Sequence, residues 1–211
     1  MWFVVQARFV AKTERVGVYG GTFDPIHSTH LAIAEAAMAQ AKLDRILFVV
    51  AQCPPHKQDD VYASAEERFT MVARAVEAHK QFHASRLEMD REGPSYTADT
   101  LSQLRASHSD AKLFLIVGAD SLVDLPRWHA PHTILKLATL LVVPRPDSMK
   151  VVPDILQNHV EWLVFEESTL SSTTIRQMIA SGGDLGAMLP PVVQDYIEEK
   201  GLYRAHCEDT P

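Results

Sequence analysis

Two histidines set three residues apart follow a glycine-rich turn, in the run Gly20-Gly21-Thr22-Phe23-Asp24-Pro25-Ile26-His27-Ser28-Thr29-His30. Two glycines let a ligand approach the backbone closely. Helical spacing follows, so the turn feeds a helix N-terminus, which favours anions. If that helix starts near Ser28, His27 and His30 share one of its faces. Two imidazoles in that place suit the phosphates of a nucleoside triphosphate, because they donate hydrogen bonds to oxygens that gain charge in a transition state. Taken alone, the pair reads more simply as capping or core histidines. A zinc site would need Asp24 or a distant residue as third ligand, and no glutamate follows in the HExxH manner, so no metal ligands are assigned.

Four more groups of residues gain meaning beside the first. Leu170-Ser171-Ser172-Thr173-Thr174-Ile175-Arg176 opens a helix with hydroxyls, and Arg176 lies one turn beyond Ser172 on the same face. Free backbone N–H groups, hydroxyls and a guanidinium converge there on one anion. Pro54-Pro55-His56-Lys57 is a stiff loop that presents Lys57 to a substrate phosphate. Gly93-Pro94-Ser95-Tyr96-Thr97 sets an aromatic and hydroxyls at a helix start. Gly118-Ala119-Asp120-Ser121 supplies an acid for a ribose, and Pro126-Arg127-Trp128-His129 a flat indole for an electron-poor ring. Each has a plain alternative: a capped helix with a surface arginine, a solvated lysine, a packed tyrosine, a packing tryptophan.

These groups need a frame, and the hydropathy pattern supplies one. Apolar, β-branched runs at Arg15 to Tyr19, Arg45 to Val50, Lys112 to Val117 and Thr139 to Val143 read as buried strands. Arg86 to Met89 and Trp162 to Phe165 are further strand candidates. Between them, Leu31, Ala34, Met38 and Ala41 recur at helical spacing. Ser64 and Glu67 form a capping box for a helix reaching about His79. Thr97 to Ser107 is helical, Ser172 caps a helix ending at Gly182-Gly183, and a last helix runs from Pro190-Pro191 to Gly201. The alternation implies a single α/β domain, a parallel sheet with helices on both faces. Ligands of such sheets bind beyond the C-terminal strand ends, where the loops above fall. Residues 1–14 read as an extension, 15–205 as the domain and 206–211 as a tail.

Composition limits what else the chain does. Its 211 residues are 46% hydrophobic and 22% charged, enough for a substantial core. A net charge of -7 argues against non-specific nucleic-acid binding. Cys53 and Cys207 have no metal-ligand spacing, which suits a reducing compartment. No apolar run approaches the roughly 18 residues of a membrane span. The apolar Met1 to Val10 lacks a hydrophobic core segment and a cleavage site, so the expected location is the cytoplasm.

In this order, the motifs resemble the nucleotidyltransferase superfamily, with its HxGH box after the first strand and ISSTxIR-like element near the C-terminus. Within it, the doubled glycine of Gly20-Gly21-Thr22-Phe23-Asp24-Pro25, the PPHK loop, Ser95 to Leu101, the GADS…RWH stretch and the ending Leu189-Pro190-Pro191 to Leu202-Tyr203 are similar to nicotinate-nucleotide adenylyltransferases. The resemblance spans Arg15 to Tyr203. It departs at Thr29, where the box has Gly, and at Leu170, where Ile is usual. It implies a Rossmann-like, doubly wound fold and direct transfer of AMP from ATP to nicotinate mononucleotide, with Mg²⁺ accompanying ATP. It further implies His27, His30 and Arg176 at the triphosphate, and Gly20, Gly21, Thr22, Phe23, Gly118, Asp120, Ser172 and Thr173 around ATP. Lys57, Tyr96, Thr97 and Trp128 would face the mononucleotide, with Trp128 against the pyridine ring. A homo-oligomer is compatible with this reading. The rival readings are a pantetheine-phosphate adenylyltransferase-like enzyme and, because of Thr29, a non-catalytic nucleotide-binding module.

Overall fold

The computed structural model describes residues 12–52, 61–144, 152–166 and 168–204. Among them, six strands pair in parallel in the order β3-β2-β1-β4-β5-β6. They are β1 (Arg15–Gly21), β2 (Arg45–Val50), β3 (Phe82–Ser85), β4 (Lys112–Gly118), β5 (Ala138–Val143) and β6 (Val160–Trp162). The helices are α1 (Ser28–Gln40), α2 (Ala65–Val76), α3 (Thr97–Ser107), α4 (Ala119–Asp124), α5 (Pro131–Leu137), α6 (Ser172–Ala180) and α7 (Pro191–Lys200).

Strand side chains alternate between two faces, and both faces are apolar. Leu113, Leu115, Leu140 and Val142 enter one core with Leu101 and Leu104 of α3, Leu122 of α4 and Ile134 of α5. Phe114, Ile116, Leu141 and Val143 enter the other, with Ile33 of α1, Met71 of α2, Ile175 of α6 and Val193 of α7. The sheet is therefore doubly wound, as the sequence pattern implies. The strand order reverses between β1 and β4, which opens a crevice at their C-terminal ends.

The capping box of α2 forms: Ser64 Oγ accepts from the Glu67 N–H, and Glu67 Oε2 accepts from the Ser64 N–H. Three expected boundaries are corrected. The third strand is Phe82–Ser85 rather than Arg86 to Met89. Residues 86–90 instead close a turn, with the Met89 and Asp90 N–H groups donating to the Arg86 carbonyl, and the Arg86 guanidinium is drawn to Glu66 at 2.6 Å. The sixth strand is Val160–Trp162 rather than Trp162 to Phe165. At Val164 the Gln40 amide takes both the backbone N–H and the carbonyl, each at 2.8 Å, which ends the ladder. Ser171, not Ser172, caps α6, accepting from the Thr174 N–H at 3.1 Å. The helices α4 and α5, too short to show a period, have no counterpart in the sequence reading.

Candidate active site

The crevice between β1 and β4 holds a cavity of about 340 Å³. Its floor is the C-terminal end of each strand: Tyr19, Gly20 and Gly21 on one side, Ile116, Val117 and Gly118 on the other. A Cβ on Gly20 would meet no atom within 4 Å, so the bare backbone there faces open space. Gly21 lines the cavity as well, but its side-chain space is already filled. A Cβ on it would stand 2.9 Å from the Phe23 ring, so its missing side chain makes room for Phe23 rather than for a ligand.

Phe23 has a left-handed backbone (φ 50°) and is buried, its ring edge-on to Tyr19 and to His30. This turn delivers His27 as the N-cap of α1 and His30 as its third residue. The two rings lie 3.8 Å apart, centroid to centroid, and both line the cavity. The His27 N–H donates to His30 Nδ1 at 3.2 Å. An accepting Nδ1 leaves the ring proton on Nε2, so His30 is held in the tautomer that donates from its far nitrogen.

Helix α6 closes the opposite wall with Ser172, Thr173 and Arg176. Because Ser171 is the cap, the Ser172 hydroxyl is released to donate to the Pro25 carbonyl at 2.9 Å. Arg176 donates to the Asp24 carbonyl at 2.8 Å, and its guanidinium stacks 4.4 Å above the Tyr62 ring. Two cavity-lining histidines and one arginine thus gather where the sheet forks. Asp120, in the first turn of α4, is exposed at the same cavity.

A second cavity of about 420 Å³ is lined by Ser95, Tyr96, Thr97, Arg127, Trp128, His129 and Ile134. Trp128 lines both cavities and is their common wall. Tyr96 stacks on His129 at 4.4 Å, and Ser95 Oγ accepts from the Gln52 N–H, tying this segment to the exit of β2. All the expected nucleotide-contacting residues except Lys57 line one cavity or the other. Lys57, with its PPHK loop, lies outside the described residues.

The positioning roles of three residues, Arg68, Asp24 and Tyr203, escaped the sequence reading. Arg68 is fully buried, 1% exposed, in α2. It donates to the carbonyls of Thr22, Ala51 and Ala63, fastening the loops after β1 and β2 to one helix. Asp24 is also buried, accepting from the Tyr62 and Ala63 N–H groups and from the Tyr203 hydroxyl at 2.6 Å. Burial and the Asp24 charge push the Tyr203 hydroxyl well above its usual pKa, so it stays a donor. Thr29, the departure in the histidine box, is buried, does not line the cavity, and bonds Ser168 instead.

A family model described as cytidylyltransferase-like matches residues 18–178. The chain is 38% identical over 192 residues to the nicotinate-nucleotide adenylyltransferase of Bacillus subtilis, covering 91% of this chain and 100% of that one. It is 42% identical over 196 residues to a probable nicotinate-nucleotide adenylyltransferase of Thermus thermophilus, with coverages of 90% and 100%. Its fold matches a solved structure of Plasmodium falciparum nicotinic acid mononucleotide adenylyltransferase complexed with NaAD, at a TM-score of 0.75 and 17% identity, over 90% of this chain and 97% of that one. On the family model and the extent of these sequence matches, the chain belongs to the nicotinate-nucleotide adenylyltransferase family, within the cytidylyltransferase-like group.

Proposed function

We propose that the protein transfers AMP from ATP to nicotinate mononucleotide, giving deamido-NAD and pyrophosphate. The observation that carries this reading is the pair of cavities meeting at Trp128, with His27, His30 and Arg176 around one of them. ATP would lie in the first, its triphosphate against the two histidines, Ser172, Thr173 and Arg176. The mononucleotide would lie in the second, its pyridine ring on Trp128. A phosphate oxygen of the mononucleotide attacks the α-phosphorus in line. The new P–O bond forms as the bond to the β-phosphate oxygen breaks, and pyrophosphate leaves with that electron pair. No protein nucleophile is needed, so catalysis is positioning plus stabilisation of charge on the phosphate oxygens. His30 Nε2 and the Arg176 guanidinium are the donors suited to that task.

Mg²⁺ would accompany the triphosphate and neutralise part of its charge. The described cavity residues fit an ion held mainly by phosphate and water. Of the two carboxylates that line the cavity, Asp24 already accepts three hydrogen bonds, so a carboxylate contact to the ion, if the protein makes one, would come from the exposed Asp120. A reducing cytoplasm suits the two cysteines. Thr29 turns away from the cavity, which removes the reason to read the chain as a binding module alone.

Pyrophosphate release from ATP and Mg²⁺ tests the reading, with nicotinate mononucleotide, its amide analogue and phosphopantetheine compared as acceptors. The expected result is turnover with a pyridine mononucleotide and loss of turnover on chelation of Mg²⁺. Preference for phosphopantetheine, or silence with all three while ATP binds, would overturn it. His30→Ala is expected to lower kcat about 100- to 1000-fold, the cost of one transition-state donor, with the fold retained and the thermal transition lowered only by the lost bond to the His27 N–H.

A further inference from the structure

Helices α1 and α6 act on one cavity from opposite walls, yet they are far apart in the chain. Among the described residues, three side-chain bonds, from Ser172, Arg176 and Thr29, hold α6 and its entry to α1 and its approach. Two come from residues that line the cavity: Ser172 to the Pro25 carbonyl and Arg176 to the Asp24 carbonyl. The third is Thr29 Oγ1 to Ser168 Oγ, 3.1 Å apart. Ser168 Oγ also accepts from the Leu170 N–H at 3.2 Å, so the hydroxyl that meets Thr29 is fixed to the backbone entering α6.

The three bonds do not have the same fate on ligand binding. In the proposed ATP complex the Ser172 hydroxyl would turn to a phosphate oxygen and the Arg176 guanidinium would be shared with one, which loosens their hold on the Asp24-Pro25 turn. Thr29 is buried and stands outside the cavity, so a ligand there would leave its bond in place. We propose that Thr29, in the glycine position of the histidine box, is a positioning residue that keeps the N-termini of α1 and α6 in register while Ser172 and Arg176 are occupied by the triphosphate. This inference rests on the ATP site proposed above.

The test compares Thr29→Val, Ser168→Ala, the double variant and Thr29→Ser. The readouts are kcat and KM for ATP, the affinity for a non-hydrolysable ATP analogue measured by calorimetry, and the thermal transition. Valine keeps the shape and removes the hydroxyl. Each of Thr29→Val and Ser168→Ala is expected to weaken analogue binding and kcat/KM about 3- to 10-fold, the worth of one hydrogen bond. The double variant should be no worse than either single one, and Thr29→Ser should recover most of the loss. Unchanged affinity in Thr29→Val, losses that multiply in the double variant, or a Thr29→Ser as impaired as Thr29→Val would each overturn the proposal. This pattern of analogue affinities across the variants, together with no turnover of a pyridine mononucleotide by the unaltered protein, would overturn the acceptor assignment and leave the tether standing.

Discussion

Gly20 and Gly21 are neighbours of one residue type with separate duties. The space at Gly20 belongs to the cavity, and the space at Gly21 belongs to the Phe23 ring. Gly20→Ala should therefore leave the thermal transition where it is and raise KM for ATP, because the added methyl occupies room a ligand needs. Gly21→Ala should cost about 1–3 kcal/mol of stability in denaturant titration, as overpacking against a buried ring does. Equal effects of the two on stability would contradict this division. The sequence marks both glycines as significant and cannot divide their roles, since only the folded position of Phe23 separates them. The histidines are more legible. Their spacing requires only that α1 begin at Ser28, and it does. Arg68 is the opposite case. It follows Glu66 and Glu67 in an amphipathic helix, where an arginine reads as solvent-facing. Its burial depends on the carbonyls of Thr22, Ala51 and Ala63, which local sequence cannot show to be near.

At the scale of elements, α2 is a clamp as well as a cover. One guanidinium satisfies carbonyls from the loops after β1 and β2 and from its own approach. Arg68→Met keeps the apolar stem and leaves those carbonyls short of donors, at about 1–3 kcal/mol for each that stays buried. Denaturant titration should show a loss of about 3 kcal/mol, with Arg68→Lys recovering only part of it, because an ammonium lacks the planar fork. Full recovery by lysine would mean that charge alone matters at this position. The long periodic elements α2 and α3, and the strands β2 and β4, are legible because their own residues decide them. Strand β3 is not. Its four residues are chosen by pairing with β2, Ile46 with Phe82 through Val49 with Ser85, and the equally plausible Arg86 to Met89 loses to the turn that follows.

For the whole molecule, the strand order is the property least visible in the chain, because it is set by which strands meet and not by what any strand is. That order places the cavity, and contacts from the far end of the chain complete it. Tyr203 reaches back 179 positions to Asp24, Arg176 reaches back 152, and Ser172 reaches back 147 to Pro25. The tyrosine contact has a pH signature. Its hydroxyl keeps the proton in the folded state above its ordinary value near 10, while the unfolded chain releases it there. The stabilisation is thus complete below about pH 10 and declines above it, by about 1.4 kcal/mol per pH unit. Tyr203→Phe should be less stable near neutrality by about 1.5–3 kcal/mol, the worth of a hydrogen bond to a charged group, and should show a shallower alkaline decline. An alkaline profile that runs parallel to the unaltered protein's would remove Asp24 and Tyr203 from that account. The same long reach governs synthesis on the ribosome. A nascent chain displays both histidines while the residues that fix their turn are still untranslated. The nucleotide site is therefore complete only after Ser172, Arg176 and Tyr203 have been added, and a chain released before them carries its histidines without the contacts that complete their turn.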